Sequence, residues 1–123
     1  MIYLGIILAG GCGALLRYLV GRAVIAQQWT ALPFGTLAVN VIGSFLMGYL
    51  SWAIVQKWQL STEVQVIILT GFLGGFTTFS AFSLEIVNLV QNGASLKVVI
   101  YILLSICLSV AMCLAGLMLA KST

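Results

Sequence analysis

Four apolar runs, each long enough to cross a lipid bilayer, leave this chain of 123 residues very little else to fold with. A helix needs about 20 mostly apolar residues to span the hydrocarbon core. The runs cover about 2–25, 34–55, 64–90 and 98–120. Arg17 and Arg22 interrupt the first and Glu85 the third, while the second and fourth are uncharged. No alternation of short strands suggests a transmembrane barrel. The expected fold is therefore an all-α membrane protein, one domain over 1–123 with four transmembrane helices.

Charge excludes other classes. Charged residues are 6% of the chain and hydrophobic ones 63%, against roughly 25% charged in soluble domains. The five bases, Arg17, Arg22, Lys57, Lys97 and Lys121, are scattered, so no nucleic-acid footprint forms. The three cysteines lie in apolar runs and there is no histidine. A disulfide framework or zinc site is not expected. Leu8 to Cys12 faintly resembles a lipoprotein cleavage box, but no positive residue precedes it.

Punctuation separates the runs. Gln27-Gln28-Trp29-Thr30 leads to Pro33, which suits the first turn of a helix. Lys57 to Glu63 reads as a polar loop, and Gln91-Asn92-Gly93 as a left-handed helix cap. Trp29, Trp52 and Trp58 lie near span ends, where indoles favour the interface. Small residues form packing stripes: Gly5, Ala9, Gly13 and Gly21 on the first span, with Arg17 in line, and Gly43, Ser44, Gly48 and Ser51 on the second.

Lys and Arg in short loops normally fix orientation. Lys57 and Lys121 fall on one side, Arg22 and Lys97 on the other. Two against two gives no preferred orientation, so both can insert and an antiparallel homodimer becomes possible.

Polar groups at membrane depth face protein or a water-filled path. Arg17 either snorkels or raises the anion concentration in a vestibule. Asn40 either bonds between helices or offers its amide to an anion. The third run reads Gly71-Phe72-Leu73-Gly74-Gly75-Phe76-Thr77-Thr78-Phe79-Ser80-Ala81-Phe82-Ser83-Leu84-Glu85. Its paired glycines and threonines are expected to break the helix between Gly74 and Thr78. Such a break exposes backbone groups that bind ions, as discontinuous helices do. Phe79 and Phe82 share a helical face, with Ser80 and Ser83 as a polar ridge beside them. The two rings are either lipid-facing filler or present positive ring edges to a small anion. Glu85 is a hydrogen-bonded anchor or a pore mouth. Ser105 and Ser109 either bond back to their own helix or extend a polar track.

Three pieces together, Gly10-Gly11-Cys12-Gly13-Ala14-Leu15-Leu16-Arg17-Tyr18, Gly35-Thr36-Leu37-Ala38-Val39-Asn40, and Gly71 through Glu85, resemble the Fluc (CrcB) family of fluoride channels over the whole chain. The resemblance implies an antiparallel, dual-topology homodimer in the cell (inner) membrane, with two pores for passive fluoride efflux that lowers cytoplasmic fluoride. It implies that Phe79 and Phe82 form a phenylalanine box and that Asn40 lines the pore. Thr36, Ser80, Ser83 and Ser109 accompany them, with Arg17 in the vestibule and Glu85 at the mouth or in a structural role. It also implies a structural sodium ion on the dimer axis, held by the backbone carbonyls of Gly74 and Thr77. Ala81 stands where many members have Thr, so a hydroxyl is missing there. The rival reading is a small multidrug-type, proton-coupled exporter of cationic compounds, which resembles this chain in its four spans. Such exporters carry a membrane-embedded Glu on the first helix, where this chain has Arg17. A third reading is an assembly subunit that moves no ions.

Overall fold

A computed structural model describes residues 1–26 and 32–123, the side chain of Ala26 excepted. The expected loop at Gln27 to Thr30, with the interfacial placement of Trp29, lies outside the described residues. Among those described, the secondary structure is helical: α1 (Ile2–Ala26), α2 (Phe34–Trp52), α3 (Thr62–Val66), α4 (Gly74–Phe76), α5 (Phe79–Gln91) and α6 (Ser95–Ser122). Two wide π-helical turns, Ala53–Lys57 and Ile67–Leu73, extend α2 and join α3 to α4. Four stretches are long and apolar enough to cross a membrane: Ile2–Ile25, Phe34–Lys57, Thr62–Gln91 and Ser95–Ser122. The chain is a multi-pass membrane protein, with each span close to its sequence expectation.

The ends follow local rules. Pro33 sits at the N-cap of α2, one residue before the helix rather than inside its first turn, and its carbonyl accepts from Leu37 N–H at 3.2 Å. Ser61 caps α3. Gly93 takes φ +69°, with Gly93 N–H donating to Val90 O and Ala94 N–H to Leu89 O. That pair of bonds is a Schellman motif, and it turns the chain from α5 into α6. Lys121 near the end of α6 lies 4.9 Å from the Trp52 ring. The ends of the second and fourth spans therefore meet on one side, as four crossings require.

The small-residue stripes bring backbones together. α1 lies along the half of the third span before its break, and α2 lies along α6. A side chain on Gly13 would collide with the Phe72 carbonyl, and one on Gly75 with the Gly10 carbonyl. On the other pair of helices, Gly48 abuts the Cys113 backbone and Gly116 the Phe45 carbonyl. In lipid, where apolar burial gives no net drive, such close contact is what holds helices together. One buried cluster joins Leu37, Phe82 and Tyr101, contributed by α2, α5 and α6.

The third span is broken, and the break falls at Thr77 and Thr78. Thr77 has φ −84°, ψ 160° and Thr78 φ −153°, ψ 122°, both extended. Gly74 and Gly75 remain helical. The break therefore lies inside the expected range of Gly74 to Thr78, at its threonine end. Gly75 instead admits α1, and the β-branched threonines carry the extended backbone.

Gly48→Val is expected to destabilise the protein by about 1–3 kcal/mol, the usual range for overpacking. Gly11→Ala, whose added carbon meets nothing in this chain, is expected to be neutral or mildly stabilising. Thermal unfolding of the two purified proteins in one detergent checks the contrast.

Candidate ion pathway at the helix break

Extended backbone in the middle of a membrane span leaves N–H and C=O groups without helical partners, and lipid offers none. Here each is met from a neighbouring element. Thr77 N–H and Oγ1 both donate to Leu73 O at 3.0 Å, closing α4. Thr78 Oγ1 accepts from Ala81 N–H at 3.2 Å, capping α5. Asn40 on α2 grips Thr78 from both sides: Nδ2 donates to Thr78 O at 2.9 Å, and Oδ1 accepts from Thr78 N–H at 2.8 Å. Arg17 on α1 donates from Nη1 to Thr77 O at 3.0 Å. The break is thus clamped by one side chain from each of the first two helices.

A cavity of about 380 Å³ opens beside the clamp. Asn40, Thr77, Thr78, Phe79, Phe82, Ser105 and Ser109 line it, with Ser44 and several apolar residues, and no charged side chain takes part. Asn40 keeps one amide N–H beyond the bond to Thr78. α5 begins here, so the positive end of its dipole points into this region. The rings of Phe79 and Phe82 are tilted by 50° with centroids 5.6 Å apart, and Phe82 is tilted against Tyr101 at 5.2 Å. Phe82 is buried at 7% exposure, whereas Phe79 is 78% exposed. Ser105 Oγ is buried with no hydrogen-bond partner.

Glu85 belongs to a second place. Its Oε1 accepts from Thr36 Oγ1 and its Oε2 from Tyr101 Oη, each at 2.6 Å. Short bonds of this kind are the strong, charge-assisted sort. Glu85 and Thr36 also border a cavity of about 290 Å³ with Gly21, Pro33 and Phe34. Glu85 is therefore a hydrogen-bonded anchor that also borders a cavity.

The structure gathers Asn40, Phe79, Phe82 and Ser109 around one cavity and sets Thr36 with Glu85 at the other. Ser80 and Ser83 line neither. Ser80 Oγ lies 3.3 Å from Thr78 Oγ1, and Ser83 Oγ donates to Phe79 O at 2.9 Å. Arg17 donates to the break at Thr77 O, while Glu85 accepts from the hydroxyls of Thr36 and Tyr101. Gly74, in α4 just before the break, is exposed. Tyr101 escaped the sequence reading. The single phenol of α6 was the available signal.

Comparison with known proteins follows the same outline. A profile of the family described as CrcB-like protein, Camphor Resistance (CrcB) matches residues 4–117. Proteins named fluoride-specific ion channel FluC are similar along nearly the whole chain. The one from Rhizobium johnstonii is 46% identical over 108 residues, covering 88% of this chain and 86% of its own. That from Rhizobium meliloti is 45% identical over 113 residues, covering 92% and 90%. The Agrobacterium fabrum protein is 42% identical over 123 residues, covering 99% and 98%.

Asn40→Ala leaves the N–H and C=O of Thr78 unpaired, each at a cost of about 1–3 kcal/mol, so a loss of about 2–6 kcal/mol is expected. Asn40→Asp keeps the acceptor alone and should fall between wild type and alanine. Unfolding in detergent ranks the three. An alanine variant as stable as wild type would show that the amide does not hold the break.

Proposed function

The chain belongs to the CrcB-like family, and on that footing we propose that it is a fluoride-selective ion channel giving passive efflux down the fluoride gradient. The observation that carries the reading is the cavity at the break. It is lined by an amide, hydroxyls and two phenyl rings and holds no fixed negative charge, while a guanidinium bonds to the backbone of Thr77 in its wall.

Fluoride is small and strongly hydrated, so a path must replace its water closely. The spare N–H of Asn40, the hydroxyls of Ser105 and Ser109, and ring edges of Phe79 and Phe82 are donors of that kind. None is a full charge in contact with the ion. Conduction requires binding weak enough to release as well as to admit, and neutral donors meet that demand. Thr36 and Glu85 would lie further along the route, with the carboxylate held by two hydroxyls so that it does not swing into it. Ser80 and Ser83 would contribute least, since both are engaged locally. An exporter of cationic compounds coupled to protons finds no support: α1 carries no acid, and the relatives are named as channels.

The working unit we propose is an antiparallel homodimer in the inner membrane, with both orientations inserted. Balanced loop charge supports it, as do Gly74, Phe79 and Ser80, exposed around the break in the middle of a span. A polar break facing lipid is costly, and a second copy would cover it.

The same break supports a sodium ion shared by the two copies. The Thr78 N–H that an unbroken helix would give to the Gly74 carbonyl goes to Asn40 instead, and Thr77 O follows three residues after Gly74. These are neutral, hard oxygen donors. Among the described residues no group of three or more His, Cys, Asp or Glu gathers for a transition metal. Gly74 and Thr77 would hold the ion, which supplies positive charge to fasten two breaks together.

Purified protein in liposomes is expected to release fluoride and retain chloride; equal rates, or no flux, would overturn the reading. Phe82→Ile should slow fluoride by up to about tenfold, equivalent to about 1.4 kcal/mol. For the dimer, lysines added to opposite loops of two variants should give inactive singles and an active mixture on co-expression. Full activity of either single would exclude dual topology.

A further inference from the structure

We propose that Arg17 decides the charge class of the cation admitted at the break: it holds the Thr77 carbonyl to a monovalent ion and keeps divalent ions out. The inference rests on the sodium reading above and concerns what sets that site's selectivity.

Carbonyl oxygens alone do not make this choice. They are hard donors, and Ca²⁺ takes such oxygens as readily as a monovalent ion does. The discrimination must come from charge nearby. Arg17 Nη1 donates to Thr77 O at 3.0 Å, on one of that oxygen's two lone pairs, so a cation on the other would share its ligand atom with a guanidinium. Arginine stays protonated at any working pH. Among the described residues no carboxylate forms an ion pair with it, and Glu85 is bonded to Thr36 and Tyr101 instead. Two positive groups on one oxygen repel in proportion to the product of their charges. The penalty therefore doubles for a divalent ion, and in an antiparallel pair each copy contributes a guanidinium.

This role differs from that of a vestibule charge gathering anions. A gathered anion atmosphere weakens with added salt. A guanidinium bonded to a ligand oxygen acts on cation choice at fixed ionic strength. Arg17 is thus a positioning residue that acts through the Thr77 carbonyl.

Thermal unfolding of purified protein in detergent, in sodium, calcium or choline chloride at matched ionic strength, tests this. Wild type is expected to gain stability in sodium over choline and nothing further in calcium. Arg17→Gln, neutral and still able to donate, should gain at least as much from calcium as from sodium, with its apparent calcium affinity raised about tenfold or more. Arg17→Lys keeps the charge and should keep the wild-type order. Binding of radioactive sodium to wild type, with calcium as competitor, needs no variant, and no displacement is expected. Displacement by calcium, or a wild-type ion order in Arg17→Gln, overturns the proposal. If wild type does not respond to sodium at all, the carbonyl site itself fails, which is a different result from a site that exists with unchanged selectivity.

Discussion

Two residues of extended backbone in the middle of a membrane span are the constraint to which everything else here answers. Lipid cannot satisfy the N–H and C=O groups of Thr77 and Thr78, and leaving them unpaired would cost several kcal/mol. Asn40 mimics a peptide group and takes both sides of Thr78, while Arg17 takes the carbonyl of Thr77. The two most conspicuous polar residues of the first two helices are thereby explained by backbone they do not belong to. Because they reach it from different helices, α1, α2 and both halves of the third span are locked into one arrangement.

Close backbone contact makes that reach possible. Gly13 and Gly75 let α1 settle against the segment before the break, and Gly48 and Gly116 do the same for α2 and α6. Were α1 a side chain further from the third span, or α2 held off Thr77 by a side chain at Gly43, the clamp would fall short of the break. Small residues and polar residues, which look like separate features of a membrane sequence, serve one geometric purpose. The same arrangement leaves a cavity beside the clamp whose walls donate hydrogen bonds without carrying charge.

Much of this was legible in the residues. Four apolar runs gave the spans because length against bilayer thickness is a strong constraint, and Asn92-Gly93 gave the turn into α6 because only a left-handed residue builds that cap. The run from Gly71 to Glu85 gave the break between Gly74 and Thr78, and the structure narrows it to the two threonines. Asn40 could be singled out as costly, but its hold on both sides of Thr78 depends on the depth at which α2 crosses the third span, and spacing along one chain does not encode that. Tyr101 was missed for the same reason: its partner lies 16 residues away across a turn. The π-helical turns at Ala53–Lys57 and Ile67–Leu73 have no compositional signature in these residues.

Phe79, with most of its ring uncovered beside the opened backbone, bears on how such a molecule comes into being. Under the proposed pairing, a chain newly threaded into the bilayer is unfinished even when every helix has formed, since its seam meets acyl tails until an inverted twin arrives. Folding then becomes second order in chain density within the membrane sheet. Sparse expression would yield orphans open to proteolysis, and crowding would yield finished pairs, so a cell could tune the amount of working protein steeply through a small change in synthesis.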